Sequence, residues 1–170
     1  MRFYRNLHGK VLTLTLFNTT LDDGDPDHVE VHESEVGLGV YASRPYPKNS
    51  VIGEITGEMF ADPYPGTSYT FEANEGFQLE PFAPFRYLNH SCRPNCEFNW
   101  IETPASEGQA AHAGLFLSAL RPIFTDEQFT IDYRWPASCA IQCQCKEALC
   151  RGWIVDETQL DLLPNAPTRT

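Results

Sequence analysis

Arg86-Tyr87-Leu88-Asn89-His90-Ser91-Cys92-Arg93-Pro94-Asn95 sets an amide, an imidazole, a thiol and a guanidinium side by side. Neither core packing nor turn formation requires that order of groups, so the run reads as a site, closed by a Pro-Asn turn. Downstream, Cys143-Gln144-Cys145-Lys146-Glu147-Ala148-Leu149-Cys150 brings three thiols into eight residues. Cys-x-Cys-x4-Cys supplies three thiolates, and tetrahedral zinc takes four sulfur or nitrogen ligands, with sulfur at about 2.3 Å. The fourth must come from elsewhere in the chain. Cys92 is the natural donor because it sits in the other unusual segment, with Cys96 and Cys139 as alternatives. Bound zinc would tie the C-terminal tail to residues 89–95.

Other candidates are weaker singly. A lone histidine such as His90 is more often buried and hydrogen-bonded than functional, and Asn89 beside it could be a turn residue. Gly37-Leu38-Gly39 lets backbone approach a ligand, but it occurs in hairpins too and lacks the third glycine of a dinucleotide fold. Tyr133, after Asp132 at the end of a strand-like run, could be an ordinary half-buried aromatic. The sequence contains no Gly-x-Ser-x-Gly elbow, Walker loop or His-Glu-x-x-His pair, which leaves hydrolase-elbow, nucleotide-phosphate and zincin chemistry without residues to run on.

The elements that must hold these groups read as short strands. Residues 10–17 alternate as a strand does, and an acidic loop follows through Asp22, Asp23, Asp25 and Asp27. Glu35–Ala42, Val51–Met59, Tyr69–Phe71, Phe77–Leu79, Phe98–Ile101, Leu115–Leu120 and Phe129–Tyr133 are further strand candidates. A Gly- and Ala-rich insert at 103–114 separates two of them, and Trp153–Leu163 is predicted as one short helix. With 13 prolines and 11 glycines in 170 residues, one loop-rich, mainly β domain is expected.

The net charge of −11 repels phosphate backbones and favours basic ligands, which argues against direct nucleic-acid binding. No apolar stretch approaches the roughly 18 residues of a membrane span, and residues 1–6 lack a signal-peptide core. The expectation is an intracellular protein, cytoplasmic or nuclear, not secreted and not membrane-bound. Its six cysteines are then thiols rather than disulfides.

Taken in order, these segments resemble the SET-domain protein lysine methyltransferases. Gly37-Leu38-Gly39 looks like the family's first motif and Glu54-Ile55-Thr56-Gly57-Glu58 like its second. Arg86 to Asn95 is similar to the R-F-I-N-H-S-C-x-P-N signature, Glu127 to Tyr133 resembles E-E-L-T-x-D-Y, and Cys143 to Cys150 resembles the post-SET zinc segment. The resemblance implies a mainly β, β-clip-like fold of small curled sheets with a pseudo-knot and a short C-terminal helix. Residues 35–135 would be the SET domain, 1–34 an N-terminal strand and acidic loop of the same unit, and 136–170 the post-SET segment and tail. It also implies S-adenosylmethionine and zinc as cofactors. Gly37, Leu38, Gly39, Tyr69, Arg86, Asn89, His90 and Trp153 would bind the first, and Cys92, Cys143, Cys145 and Cys150 the second. Tyr133 would be catalytic, and the substrate a lysine of a basic protein or peptide, histone or histone-like. A catalytically silent, zinc-stapled module that binds a basic peptide is the alternative.

Two departures bear on that expectation. The second motif usually carries a tyrosine where Ile55 stands, so a polar wall of the lysine channel must come from elsewhere, with Tyr64 and Tyr69 as candidates. Ile131 stands where relatives often have an aromatic that limits methyl number, and the extra room would permit di- or trimethylation. Oligomeric state is not encoded in any of these features.

Overall fold

The computed structural model describes residues 3–5, 11–13, 28–61, 66–74, 76–105 and 110–163. Its strands are β1 (Phe3–Arg5), β2 (Val11–Thr13), β3 (Val29–Ser34), β4 (Gly37–Ala42), β5 (Val51–Ile55), β6 (Gly57–Ala61) and β7 (Phe71–Asn74). The remainder are β8 (Phe77–Pro81), β9 (Asn89–His90), β10 (Cys96–Thr103), β11 (His112–Ala119), β12 (Thr130–Ile131), β13 (Ile141–Gln142) and β14 (Trp153–Ile154). They form small separate sheets: β2-β1-β10-β11-β5, β6-β8-β7, and the pairs β3-β4, β9-β12 and β13-β14. The expected mainly β fold of small sheets is what the chain adopts.

The core gathers Val40, Ile52, Ile55, Leu79, Leu88, Leu117, Ile123, Phe129 and Ile131 between these sheets. Through that core runs the pseudo-knot. β9 pairs parallel with β12, Asn89 opposite Thr130 and His90 opposite Ile131, although some forty residues separate the strands. Beyond the pairing, Ser91 N–H donates to Ile131 O at 2.9 Å. Asn95, 1% exposed, accepts from Thr130 N–H at 2.8 Å and donates to Gln128 O at 2.8 Å. Its part is therefore larger than the turn its Pro-Asn context suggests: it clamps the threaded segment.

Several boundaries differ from the local reading. The 51–59 run divides at Thr56 into β5 and β6, because a Cβ at Gly57 would lie 2.2 Å from Glu80 O, and β6 crosses to a second sheet there. The 103–114 insert is shorter, since Thr103 pairs with His112 and Gly114 with Ile101. Hairpin register there overrides the poor strand propensity of glycine and alanine. Of Phe129–Tyr133 only Thr130 and Ile131 are strand, and Trp153–Leu163 is β14 followed by a 3-10 helix at Glu157–Leu162, not one helix from Trp153. Asp156 resets the helix start by accepting from Thr158 N–H at 2.8 Å. The acidic loop at 22–27, residues 14–17 and Tyr64 lie outside the described residues.

Candidate active site and metal centre

Tyr133 leaves β12 directly after the knot. Its hydroxyl donates to Leu88 O at 2.7 Å and its N–H donates to Nδ1 of His90 at 3.3 Å. Its ring lies 5.4 Å from that of His90 and 5.3 Å from that of Trp135. Burial, and secondarily the nearby Tyr69 phenol, push its pKa up to about 12, so the group is a neutral phenol. With its proton committed to Leu88, the oxygen keeps lone pairs with which to accept.

Two cavities meet at this residue. One, of about 560 Å³, is walled by Tyr69, Phe71, Phe85, Phe98, Tyr133 and Trp135, with Arg86 and Ile131 also lining it. Phe71 and Phe98 stack at 4.6 Å, and the Arg86 guanidinium lies over Tyr69 at 4.6 Å. The other, of about 910 Å³, is bounded by Asn89, His90, Ser91, the Glu33–Val36 turn, Tyr133, Trp135 and the Cys143–Cys145 loop. Both volumes are ordinary for small-molecule sites, which run from about 300 to 1,000 Å³.

The eight residues expected to contact a cofactor therefore divide. Tyr69 and Arg86 line the smaller cavity, Asn89 and His90 the larger, and Gly37, Leu38, Gly39 and Trp153 line neither. Asn89 reaches the glycine segment instead, its Nδ2 donating to Leu38 O at 3.0 Å. A Cβ on Gly39 would stand 2.0 Å from Nε2 of Gln128, so that glycine makes room for a side chain of the fold. Trp153 pairs with Gln142 in β13-β14. It lines neither cavity, although its partner Gln142 and its neighbour Ile154 both line the larger one. Trp135, on both cavities, is the aromatic that sequence reasoning missed; its place two residues after Tyr133 was the available signal.

Burial lowers the pKa of His90 to about 4 against the opposing pull of Asp132, leaving a neutral imidazole. Because Nδ1 accepts from Tyr133, the ring proton belongs on Nε2, which faces the Cys92 sulfur at 3.4 Å. Ile55, 4% exposed, belongs to the core. Ile131, 6% exposed, is the aliphatic floor of the smaller cavity.

The sulfurs of Cys92, Cys143, Cys145 and Cys150 all lie within 4.8 Å of one another. Cys92 is 3.6 Å from Cys143 and 3.8 Å from Cys150. A regular tetrahedron of sulfurs around zinc has edges of about 3.8 Å. Backbone N–H groups of Cys145, Arg151 and Gly152 point at the sulfurs of Cys143, Cys92 and Cys150 at 3.3–3.4 Å, as suits thiolates. Burial raises Cys92 and Cys143, whereas N–H and thiol hydrogen bonds outweigh burial at Cys145 and lower it to about 7. The donor set fits zinc. The two alternatives fall elsewhere: Cys96 is 1% exposed in the core and Cys139 is exposed.

The SET domain family model matches residues 37–134. Among curated relatives, a histone-lysine N-methyltransferase, H3 lysine-4 specific, of Emericella nidulans is 29% identical over 135 residues, covering 68% of this chain and 11% of that protein. One of Schizosaccharomyces pombe with the same description is 31% identical over 133 residues, covering 69% and 14%. The chain thus spans only about a tenth to a seventh of these relatives. Among solved structures, KRYPTONITE in complex with mCHH DNA, an H3(1–15) peptide and SAH superposes with a TM-score of 0.61 at 22% identity, over 74% of this chain and 29% of that one.

Proposed function

The chain belongs to the SET-domain family, and from that membership we propose that it is an S-adenosylmethionine-dependent protein lysine N-methyltransferase acting on a basic, histone-like protein. The observation that carries this reading is Tyr133, whose phenol stands where the two cavities meet. One cavity would take the cofactor and the other the lysine. The H3 lysine-4 specificity of the relatives and the H3 peptide bound to KRYPTONITE support a histone-type substrate, as does the net charge of −11.

When bound, S-adenosylmethionine supplies an electrophilic methyl group and departs as a thioether. The chain's part is orientation and desolvation. The aromatic walls of the smaller cavity accept a lysine stem and a partly cationic head, and they favour the neutral amine, since burial disfavours its charged form. The Tyr133 oxygen accepts from the amine N–H and so aims the nitrogen lone pair along the line of transfer. The aliphatic Ile131 leaves room at the head of the cavity for an amine that already carries methyl groups, and di- or trimethylation follows. Tyr69 stands in for the hydroxyl that Ile55 does not provide. Cys92, Cys143, Cys145 and Cys150 would hold zinc, which fixes the tail against the knot.

Turnover of labelled S-adenosylmethionine on a panel of basic proteins tests the reading. Wild type should label at least one, mass spectra should show products beyond monomethyl, and Tyr133→Phe should lower kcat about 100-fold with KM little changed. Cofactor-independent peptide binding without turnover would instead establish the silent module.

A further inference from the structure

Arg151 and Asp132 meet through two parallel hydrogen bonds, Nη1 to Oδ2 and Nη2 to Oδ1, each 2.7 Å. The side chains are 13% and 16% exposed. A forked, partly buried pair of this kind fixes geometry as well as charge, which a lysine cannot reproduce. Its location gives it consequence. Asp132 directly precedes Tyr133, its Oδ1 also accepts from Arg134 N–H at 3.3 Å, and it stands 3.5 Å from Nδ1 of His90. Arg151 directly follows Cys150, and its own N–H donates to the Cys92 sulfur at 3.4 Å. Arg151 therefore touches both the cysteine cluster, through its backbone N–H, and the segment that carries the phenol, through its guanidinium. Arg151 lines neither cavity, whereas Asp132, the carboxylate it forks, lines the smaller one.

We propose that Arg151 is a positioning residue: its fork on Asp132 couples docking of the cysteine-rich tail to the orientation of Tyr133, so that the phenol is set for the amine only when the tail is in place. The proposal rests on the methyltransferase reading for its kinetic consequence, but not for its structural one. Released from the fork, Asp132 rotates toward solvent, and the 130–135 backbone loses the restraint that holds the Tyr133 ring between His90 and Trp135.

The test compares Arg151→Lys and Arg151→Gln with wild type as full-length chains, measuring zinc content, hydrogen exchange and steady-state kinetics on a basic peptide. With zinc retained, Arg151→Lys should lose about tenfold in kcat, the rate equivalent of one charge-assisted hydrogen bond, with peptide KM unchanged and faster exchange at residues 130–135. Arg151→Gln should lose more. Wild-type kcat in both variants, or a loss that only tracks lost zinc, overturns the proposal. If wild type methylates nothing, the methyltransferase reading fails and exchange alone decides. Faster exchange at 130–135 in zinc-loaded Arg151→Lys supports the coupling, and unchanged exchange overturns it.

Discussion

The side-chain amide of Asn95 and the backbone of Thr130, 35 residues apart, close the knot: Oδ1 accepts from Thr130 N–H at 2.8 Å and from its hydroxyl at 3.2 Å. The same amide donates to Gln128 O and to Glu127 Oε1, so every polar atom of a fully buried side chain is satisfied. Asn89, His90, Cys92 and Tyr133 of the candidate site lie on the two segments this contact joins.

Asn95→Ala is accordingly expected to be among the most damaging single changes. It strands the Thr130 N–H and the Gln128 carbonyl in the interior, at about 1–3 kcal/mol for each unsatisfied group. Urea unfolding should show the midpoint falling with the slope unchanged. A midpoint equal to wild type would mean that water or local rearrangement replaces the amide.

Gly57→Ala and Gly39→Ala should separate sharply. At Gly57 the added carbon meets backbone, Glu80 O at 2.2 Å and Pro81 Cα at 2.8 Å, and neither can move without breaking the β6-β8 pairing. At Gly39 its nearest contact is the end of the Gln128 side chain. Thermal unfolding should therefore register about 1–3 kcal/mol of destabilisation for Gly57→Ala, as for an overpacked site, and little for Gly39→Ala.

The pH behaviour of Tyr133 has a defined sign. Its folded pKa, about 12, is raised above the unfolded value of 10.0, by burial first and Tyr69 second. The folded state thus keeps a proton that the unfolded chain releases, and the stability this group contributes is whole below pH 10 and is lost as pH rises through 12. Phenolate absorbance should show a late-titrating tyrosine that is lost in Tyr133→Phe. A normal titration in every tyrosine would place the phenol in solvent.

Metal removal should act locally first. Chelation is expected to release about one zinc per chain and to expose four thiols together, since a site of this kind is held as a unit. Hydrogen exchange should rise from Cys139 onward and at residues 90–93, with the β10-β11 hairpin protected. Binding of the demethylated cofactor product, followed by calorimetry, should weaken in parallel. Unchanged affinity after full extraction would uncouple tail and pocket.

Much of the site was legible locally because its chemistry is dense in the chain. Cys-x-Cys-x4-Cys cannot be read as an ordinary strand or turn, and Asn89-His90-Ser91-Cys92, far upstream, offered the favoured fourth sulfur over Cys96 and Cys139. The strands were legible as runs but not as lengths. Gly57 looked like the interior of one strand until Glu80 crossed it, and the 112–114 stretch looked like a loop until register with β10 recruited it.

The sequence by itself determined which groups are present and in what order: one phenol after an aspartate, six thiols in two clusters, and a net charge suited to basic partners. Only the tertiary structure decided which of them meet. Cys92 joins the tail cluster because it precedes β10, whereas Cys96, on the strand itself, faces the core. Trp135 reaches Tyr133 and lines both cavities, whereas Trp153 pairs in β13-β14 and lines neither. Arg151 finds Asp132 across 19 residues. These meetings depend on the parallel pairing of β9 with β12 and on the docking of the tail, contacts between distant segments that no local propensity or spacing specifies.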